Sequence, residues 1–369
     1  MSFVLFIAVL VVLIVVHELG HFLVAKFFGI KVDEFGIGYP PRAFTIGKLG
    51  DTVYTINWLP FGGFVKIFGE SLSQQYSKED KKRAFVHKPK LVQATVLIAG
   101  VVFNLLFAWF LFSVTLMMGA PTAIDESQAV GLDTRLIVSS VVTGSPADAV
   151  GLVSGDEIVG LVSRDASLET LFPSNTATFI QDRAGETITV SYIRDAETGI
   201  IEDVELIPAH GVLSETPSTP AVGIAMALVA DKSLPIGQAV AQGFMGTMSA
   251  LKTVSIGLGG FLLSAVTASA DWSQVAGPIG IAGLVGDASS VGFTYLLYFT
   301  AFISVNLAVI NMIPLPALDG GRLLFIAIEV IIRKPISEKI GTVFNVVGFT
   351  LLIVLMVVVT YHDIIRLFS

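Results

Sequence analysis

His17-Glu18-Leu19-Gly20-His21 places two imidazoles and one carboxylate within five residues. On a helix His17 and His21 are one turn apart and share a face, so both rings can reach one metal ion. Glu18 stands beside them, where a carboxylate can act as general base on a water activated by that metal. The motif lies inside the apolar run Phe3–Phe28. Ionisable groups in such a run are costly and are seldom present without a function. The spacing therefore implies metal-assisted hydrolysis, with zinc as the metal that two histidines in this pattern take.

Two histidines leave a catalytic zinc one protein ligand short, since such sites usually hold three and keep a fourth position open. The chain has no cysteine, which excludes Cys-based zinc sites and a disulfide framework. His87, His210 and His362 fall in loops or at the end of an apolar run and read as solvated surface residues. The segment Asn311-Met312-Ile313-Pro314-Leu315-Pro316-Ala317-Leu318-Asp319-Gly320-Gly321-Arg322 offers a better candidate in Asp319. Its two prolines break a helix, and two glycines after the acid permit close packing. Asp-Gly-Gly alone is as readily a turn. Beside His17 and His21, a third ligand is the better reading.

The elements that must position these groups are membrane elements. The chain has 369 residues, of which 53% are hydrophobic and 14% charged, and its mean hydropathy is +0.80. Soluble globular chains are more polar. Four apolar runs, Phe3–Phe28, Leu91–Met118, Phe293–Ile313 and Thr342–Tyr361, are long enough to cross a hydrocarbon core of about 30 Å. No basic residue precedes the first run, and the motif lies within it, so it reads as a span and not a cleaved signal peptide. The net charge of −8 is unevenly spread: Val24–Lys90 carries eleven Lys/Arg against six Asp/Glu, Gly119–Gly292 six against nineteen. With Arg322, Arg333, Lys334 and Lys339 in the loop Pro314–Gly341, the positive-inside rule puts the first and third loops in the cytoplasm. The acidic segment and both termini then lie outside. The acidic balance also argues against nucleic-acid binding.

Gly29–Lys90 alternates short β-prone runs with Gly and Pro, which predicts hairpins. They form either a cytoplasmic cap on the helices or a β element dipping into the membrane beside the metal. Irregular backbone at that depth needs protein or a water cavity to satisfy it. Ser71–Lys90 is charged and reads as an exposed linker. Val130–Ala209 reads as a compact α/β module. Leu136–Val142, Glu157–Val159, Thr187–Ile193 and Asp203–Ile207 are predicted strands, Pro146 opens a helix capped by Ser145, and Phe172–Asp182 is a second helix. The pattern Gly144-Ser145-Pro146-Ala147, Val150-Gly151-Leu152 and Gly155-Asp156-Glu157-Ile158 resembles a bacterial PDZ domain, with Val150 where a small residue is common. That resemblance implies capture of an extended peptide by strand addition, or a role as spacer or steric filter. His210–Thr219 is a polar linker. Pro235–Ala270 is apolar but interrupted by Lys252 and reads as an amphipathic helix at the outer interface.

H-E-x-x-H in the first span, N-x-x-P-x-x-x-L-D-G after a later one and a PDZ-like insertion between them resemble the site-2 protease family of intramembrane zinc metalloproteases. Ala99–Asn104 and Asn306-Leu307 also resemble family segments, and the similarity covers nearly the whole chain. Well-known relatives from Gram-negative bacteria carry two PDZ modules where this chain has one. The resemblance implies Zn2+ held by His17, His21 and Asp319, with Glu18 catalytic. It also implies that Asn311 holds substrate and that the Gly-rich stretch Leu59–Val65, with Gly62 and Gly63, pairs with an unfolded substrate segment. The expected fold is an α-helical polytopic membrane protein of about four transmembrane helices, with a membrane-associated β-hairpin loop and an inserted extracytoplasmic α/β PDZ domain. Its expected parts are a membrane part over 1–118, the PDZ domain over 126–209, a linker with interfacial helix over 210–292, and a second membrane part over 293–369. The implied activity is endoproteolysis of single-span membrane proteins, such as anti-sigma factors or signal-peptide remnants, within the lipid bilayer of the cell membrane, with the site toward the cytoplasm. A PDZ peptide ligand is a further implied partner, and nucleic acid is not. A non-catalytic PDZ adaptor with a structural metal is the main rival, but such a site has no need of Glu18. A metal transporter would line its other spans with polar residues, and they do not.

Overall fold

The computed structural model describes residues 2–368 except 71–76, 120, 169, 195–197, 213–217, 232 and 268–275. Parts of the expected linkers Ser71–Lys90 and His210–Thr219, the end of Pro235–Ala270 and the side chain of His362 therefore lie outside the described residues. The chain forms two units, Leu116–Pro235 and the remainder.

In the larger unit, helix α1 (Ser2–Phe27) carries the histidine motif. It ends in a Schellman closure: Gly29 takes φ +64, Gly29 N–H donates to Lys26 O at 3.0 Å and Ile30 N–H to Ala25 O at 2.9 Å. The chain then enters β1 (Val32–Leu49) and β2 (Thr52–Ile67), which pair antiparallel. Register shifts let Glu34–Ile37 partner both Gly63–Lys66 and Val53–Ile56, while Arg42–Leu49 partner Thr52–Asn57. The hairpin is thus folded on itself, and β2 packs along α1. The loop is thus a β hairpin, as its β-prone runs predicted, and β2 lies against the helix that carries the motif.

A short α2 (Lys78–Arg83) leads to α3 (Lys90–Met118), which crosses α1 closely. In lipid, apolar side chains gain little from leaving their surroundings, so helix association depends on close fit. Gly20 provides it here, since a β-carbon would collide with Ala99 O. Ala25, Ile30, Val32, Ile67, Val96 and Leu97 form one buried cluster joining α1, the hairpin and α3.

The smaller unit holds a seven-stranded sheet. Its strands are β3 (Pro121–Ala123), β4 (Thr134–Val141), β5 (Glu157–Val162), β6 (Ser167–Leu168), β7 (Ile188–Ile193), β8 (Ile201–Leu206) and β9 (Ile224–Asp231). They run in the order β3-β9-β4-β5-β7-β8, with β6 against β5. Ser145 caps α4 (Pro146–Ala149), and Pro173 opens α5 (Pro173–Gln181). Alternate residues of β7, Ile188, Val190 and Tyr192, are buried in the core with Leu136, Val138 and Ile158. Buried Asp156 accepts from Val153 N–H and takes Arg194 bidentately at 2.9 Å. The sheet extends past the expected boundary at 209, because β9 pairs with β4 along its whole length.

The larger unit resumes with α6 (Ile236–Val266), α7 (Pro278–Val291), α8 (Phe293–Met312), α9 (Asp319–Ile332) and α10 (Glu338–Phe368). Among the described residues, five helices have the length and apolarity to cross a membrane: α1, α3, α6, α8 and α10. About four spans were expected, with α6 read as an interfacial helix; by length and apolarity alone α6 qualifies beside the other four. Its small residues serve helix contact. Gly243 fits against Ser113, and Trp109 Nε1–H donates to Val240 O at 2.8 Å. Ala250, Leu251 and Val254 pack against Ala108, Leu111 and Val305 of α3 and α8. The fourth expected span is the longer α10.

Candidate metal centre

α1 presents His17 and His21 on one buried face with ring centroids 4.7 Å apart. Asp319 reaches them from α9. Met312 ends α8, and Pro314 and Pro316 carry the chain through Ala317 at φ +68 to the start of α9. Gly320 then packs against the Ile313 carbonyl and Gly321 against that of Leu315, with no room for a β-carbon at either position. The turn thereby folds back tightly and aims Asp319 at α1. Its carboxylate also sits favourably in the first turn of α9.

The three donors converge. Asp319 Oδ2 lies 2.9 Å from His17 Nε2 and 3.2 Å from His21 Nε2, and the two Nε2 atoms are 3.1 Å apart. Ligand atoms about 2.0–2.2 Å from a tetrahedral zinc stand roughly 3.3–3.6 Å apart, so the triangle needs only a small expansion to hold one. His21 Nδ1–H donates to Val96 O at 2.8 Å, which leaves its Nε2 lone pair for a metal. A dication would also balance the two carboxylates, Glu18 and Asp319. The residues present fit zinc.

Glu18 is close to all three donors without being one of them. Val65 N–H of β2 faces its carboxylate. Gly63 lies against it: a β-carbon there would be 3.8 Å from Glu18 Cγ and 3.0 Å from Gly36 O. Gly62, at φ +94, turns over Ile14 and Tyr39 instead. A cleft of about 360 Å³ opens onto His17, Glu18, His21 and Asp319, with Tyr39, Phe64 and Asn311 in its wall. A larger cavity of about 1120 Å³ between α3, α9 and α10 shares Glu70, Leu97, Ala317 and Arg322 with this cleft. Arg322 and Glu70 pair at 3.3 Å where the two spaces meet.

The structure thus brings His17, Glu18, His21, Asp319, Asn311 and Gly63 to one place, with Gly62 at its edge. His87 and His210 are exposed and take no part. Sequence reasoning left unassigned the face of α3 that closes the site. Val96, Gly100 and Asn104 recur every fourth residue, so they form one stripe. Val96 O holds His21, a β-carbon at Gly100 would stand 2.5 Å from His21 Nε2, and the Asn104 amide lies 3.3 Å from His17 Nδ1. Their spacing was the available signal, but small and polar residues in a span also serve plain helix packing.

A family model for peptidase family M50 matches residues 5–355. The chain is 37% identical over 354 residues to a protein of Clostridium perfringens assigned as a zinc metalloprotease, covering 96% of this chain and 95% of the relative. A second, from Clostridium acetobutylicum with the same assignment, is 35% identical over 355 residues, covering 96% and 94%. A third, from Mesorhizobium japonicum, again so assigned, is 30% identical over 378 residues, covering 97% of each.

Proposed function

The chain belongs to peptidase family M50, and on that premise we propose that it is a zinc endopeptidase that cuts the membrane-spanning segments of single-span proteins. The observation that carries this reading is the meeting of Asp319 with His17, 302 residues away, beside Glu18 at an open cleft. A purely structural metal would need neither Glu18 nor the cleft.

His17, His21 and Asp319 would hold zinc, which when bound supplies a Lewis acid that polarises the scissile carbonyl and makes water acidic enough to ionise near neutral pH. Glu18 takes the proton of the attacking water as its oxygen adds to the carbonyl carbon. When the C–N bond breaks, Glu18 hands that proton to the leaving amine. Val65 N–H of β2 faces the Glu18 carboxylate beside these transfers. Asn311 in the cleft wall can bind a substrate carbonyl.

A helical substrate hides its carbonyls in internal hydrogen bonds and must unwind before attack. The backbone of Gly63–Val65 passes beside Glu18 and offers an edge on which an unwound segment can pair. The cavity shared through Arg322 and Glu70, lined also by Lys90, Gln93 and Glu329, offers water a path from the side of the basic loops. We read the smaller unit as a PDZ domain outside the membrane, on its acidic charge, its Ser145-capped α4 and its antiparallel sheet. In this reading it receives or filters substrates. Anti-sigma factors and signal-peptide remnants fit the substrate class.

Purified protein in detergent, with a single-span model substrate, tests the activity. Cleavage by the native chain and its loss in Glu18→Gln support the reading, whereas undiminished cleavage by Glu18→Gln refutes it.

A further inference from the structure

We propose that Asn104 is a positioning residue, which sets the tautomer and angle of the His17 ring so that its Nε2 faces the metal. This rests on the zinc reading of His17, His21 and Asp319.

The His21 ring shows what the site requires. Its Nδ1–H is taken by Val96 O, which fixes the proton on the far nitrogen and leaves Nε2 bare. His17 needs the same arrangement, because its Nε2 also faces Asp319 Oδ2. A proton on His17 Nδ1 requires an acceptor, and the group that faces Nδ1 is the Asn104 amide, placed with Nδ2 toward the ring at 3.3 Å. The two ends of an amide are told apart only by their partners. With Nε2 turned to a metal, the end toward His17 is Oδ1, accepting from Nδ1–H.

Asn104 is built into this position. It is 0% exposed in the interior of α3, where an amide is costly to bury without purpose. As placed, its Oδ1 has no hydrogen-bond partner, so the side chain is not held by some other contact that would explain it. Ser304 Oγ–H of α8 donates to the Asn104 carbonyl at 2.8 Å and pins this turn of α3 between α1 and α8. Gly100, one turn earlier, keeps the intervening space clear for both rings.

The test is zinc affinity, measured on full-length apo-protein in detergent by competition with a chelator. Asn104→Leu keeps the volume and removes the acceptor, and it should bind zinc roughly 10–100-fold more weakly. Asn104→Asp restores an acceptor and should return affinity to near the native value. Equal loss in both variants overturns the proposal, since the acceptor would then be irrelevant. Native affinity in Asn104→Leu, with zinc lost in His17→Ala, overturns it too. Zinc binding unchanged in His17→Ala would instead refute the metal reading beneath it. Should Asn104→Leu not fold, Asn104→Ala makes the same comparison.

Discussion

Gly100 of α3 lies directly against His21 of α1: a β-carbon there would stand 2.5 Å from Nε2 and 2.7 Å from His17 Cε1. The neighbours are two ring atoms held by other contacts, so they cannot simply swing away. Gly100→Ala should therefore displace the imidazoles while leaving α3 helical. Overpacking of this kind costs about 1–3 kcal/mol. Zinc content of the purified variant should fall and its circular dichroism stay native; full zinc occupancy would show that the site has slack.

Glu18→Gln should lower cleavage by at least about 10²–10⁴-fold, the usual worth of general acid–base assistance. Gln keeps the size but cannot take the proton. Metal analysis should find zinc at the native level, because Glu18 is not among the converging donors.

Removing a ligand should act differently. His17→Ala and Asp319→Asn should both lose zinc as well as activity, and added zinc should rescue Asp319→Asn better, since an amide oxygen still offers a weak ligand. Chelation of the native protein should abolish cleavage, with recovery on returning zinc. Retention of zinc by both variants would exclude these residues as ligands.

Asp363 of α10 is buried and accepts from Gly277 N–H at 3.1 Å and Gly280 N–H at 2.8 Å, capping α7 from another helix. A hydrogen bond of this kind contributes about 0.5–1.5 kcal/mol net. Asp363→Leu should lower the thermal midpoint of the detergent-solubilised protein by several degrees, and Asp363→Asn by less. An unchanged midpoint in Asp363→Leu would mean the cap is dispensable.

The absence of cysteine makes topology easy to read by single-cysteine labelling. Ser167→Cys should react with an impermeant maleimide in intact cells, and Ser77→Cys only after the membrane is opened. The reverse pattern would invert the proposed orientation.

The sequence alone determined what depends on local spacing. His17 and His21 share a face because a helix turns every 3.6 residues, and Pro314 and Pro316 must interrupt α8 wherever the chain goes next. Composition likewise identified the apolar runs and the acidic insertion. The helical fate of α6 was legible, but its role was not. Gly, Ser and Thr in an apolar helix mark either a polar face or a close helix contact, and only α3 and α8 beside it decide which. β9 was missed for a similar reason. Ile224-Ala225-Met226-Ala227-Leu228 has no helix-breaking residue and no polar alternation, and it is a strand because β4 pairs along it, with β3 joining the other edge of the same strand at Val229–Asp231. The site divides the same way. Two donors lie within five residues, but the third is 302 residues from His17, and its approach is set by two glycines pressed on carbonyls of the preceding turn. Val96, Gly100 and Asn104 acquire their meaning only when α3 crosses α1 at Gly20, because contacts between distant segments are a property of packing and not of sequence neighbours.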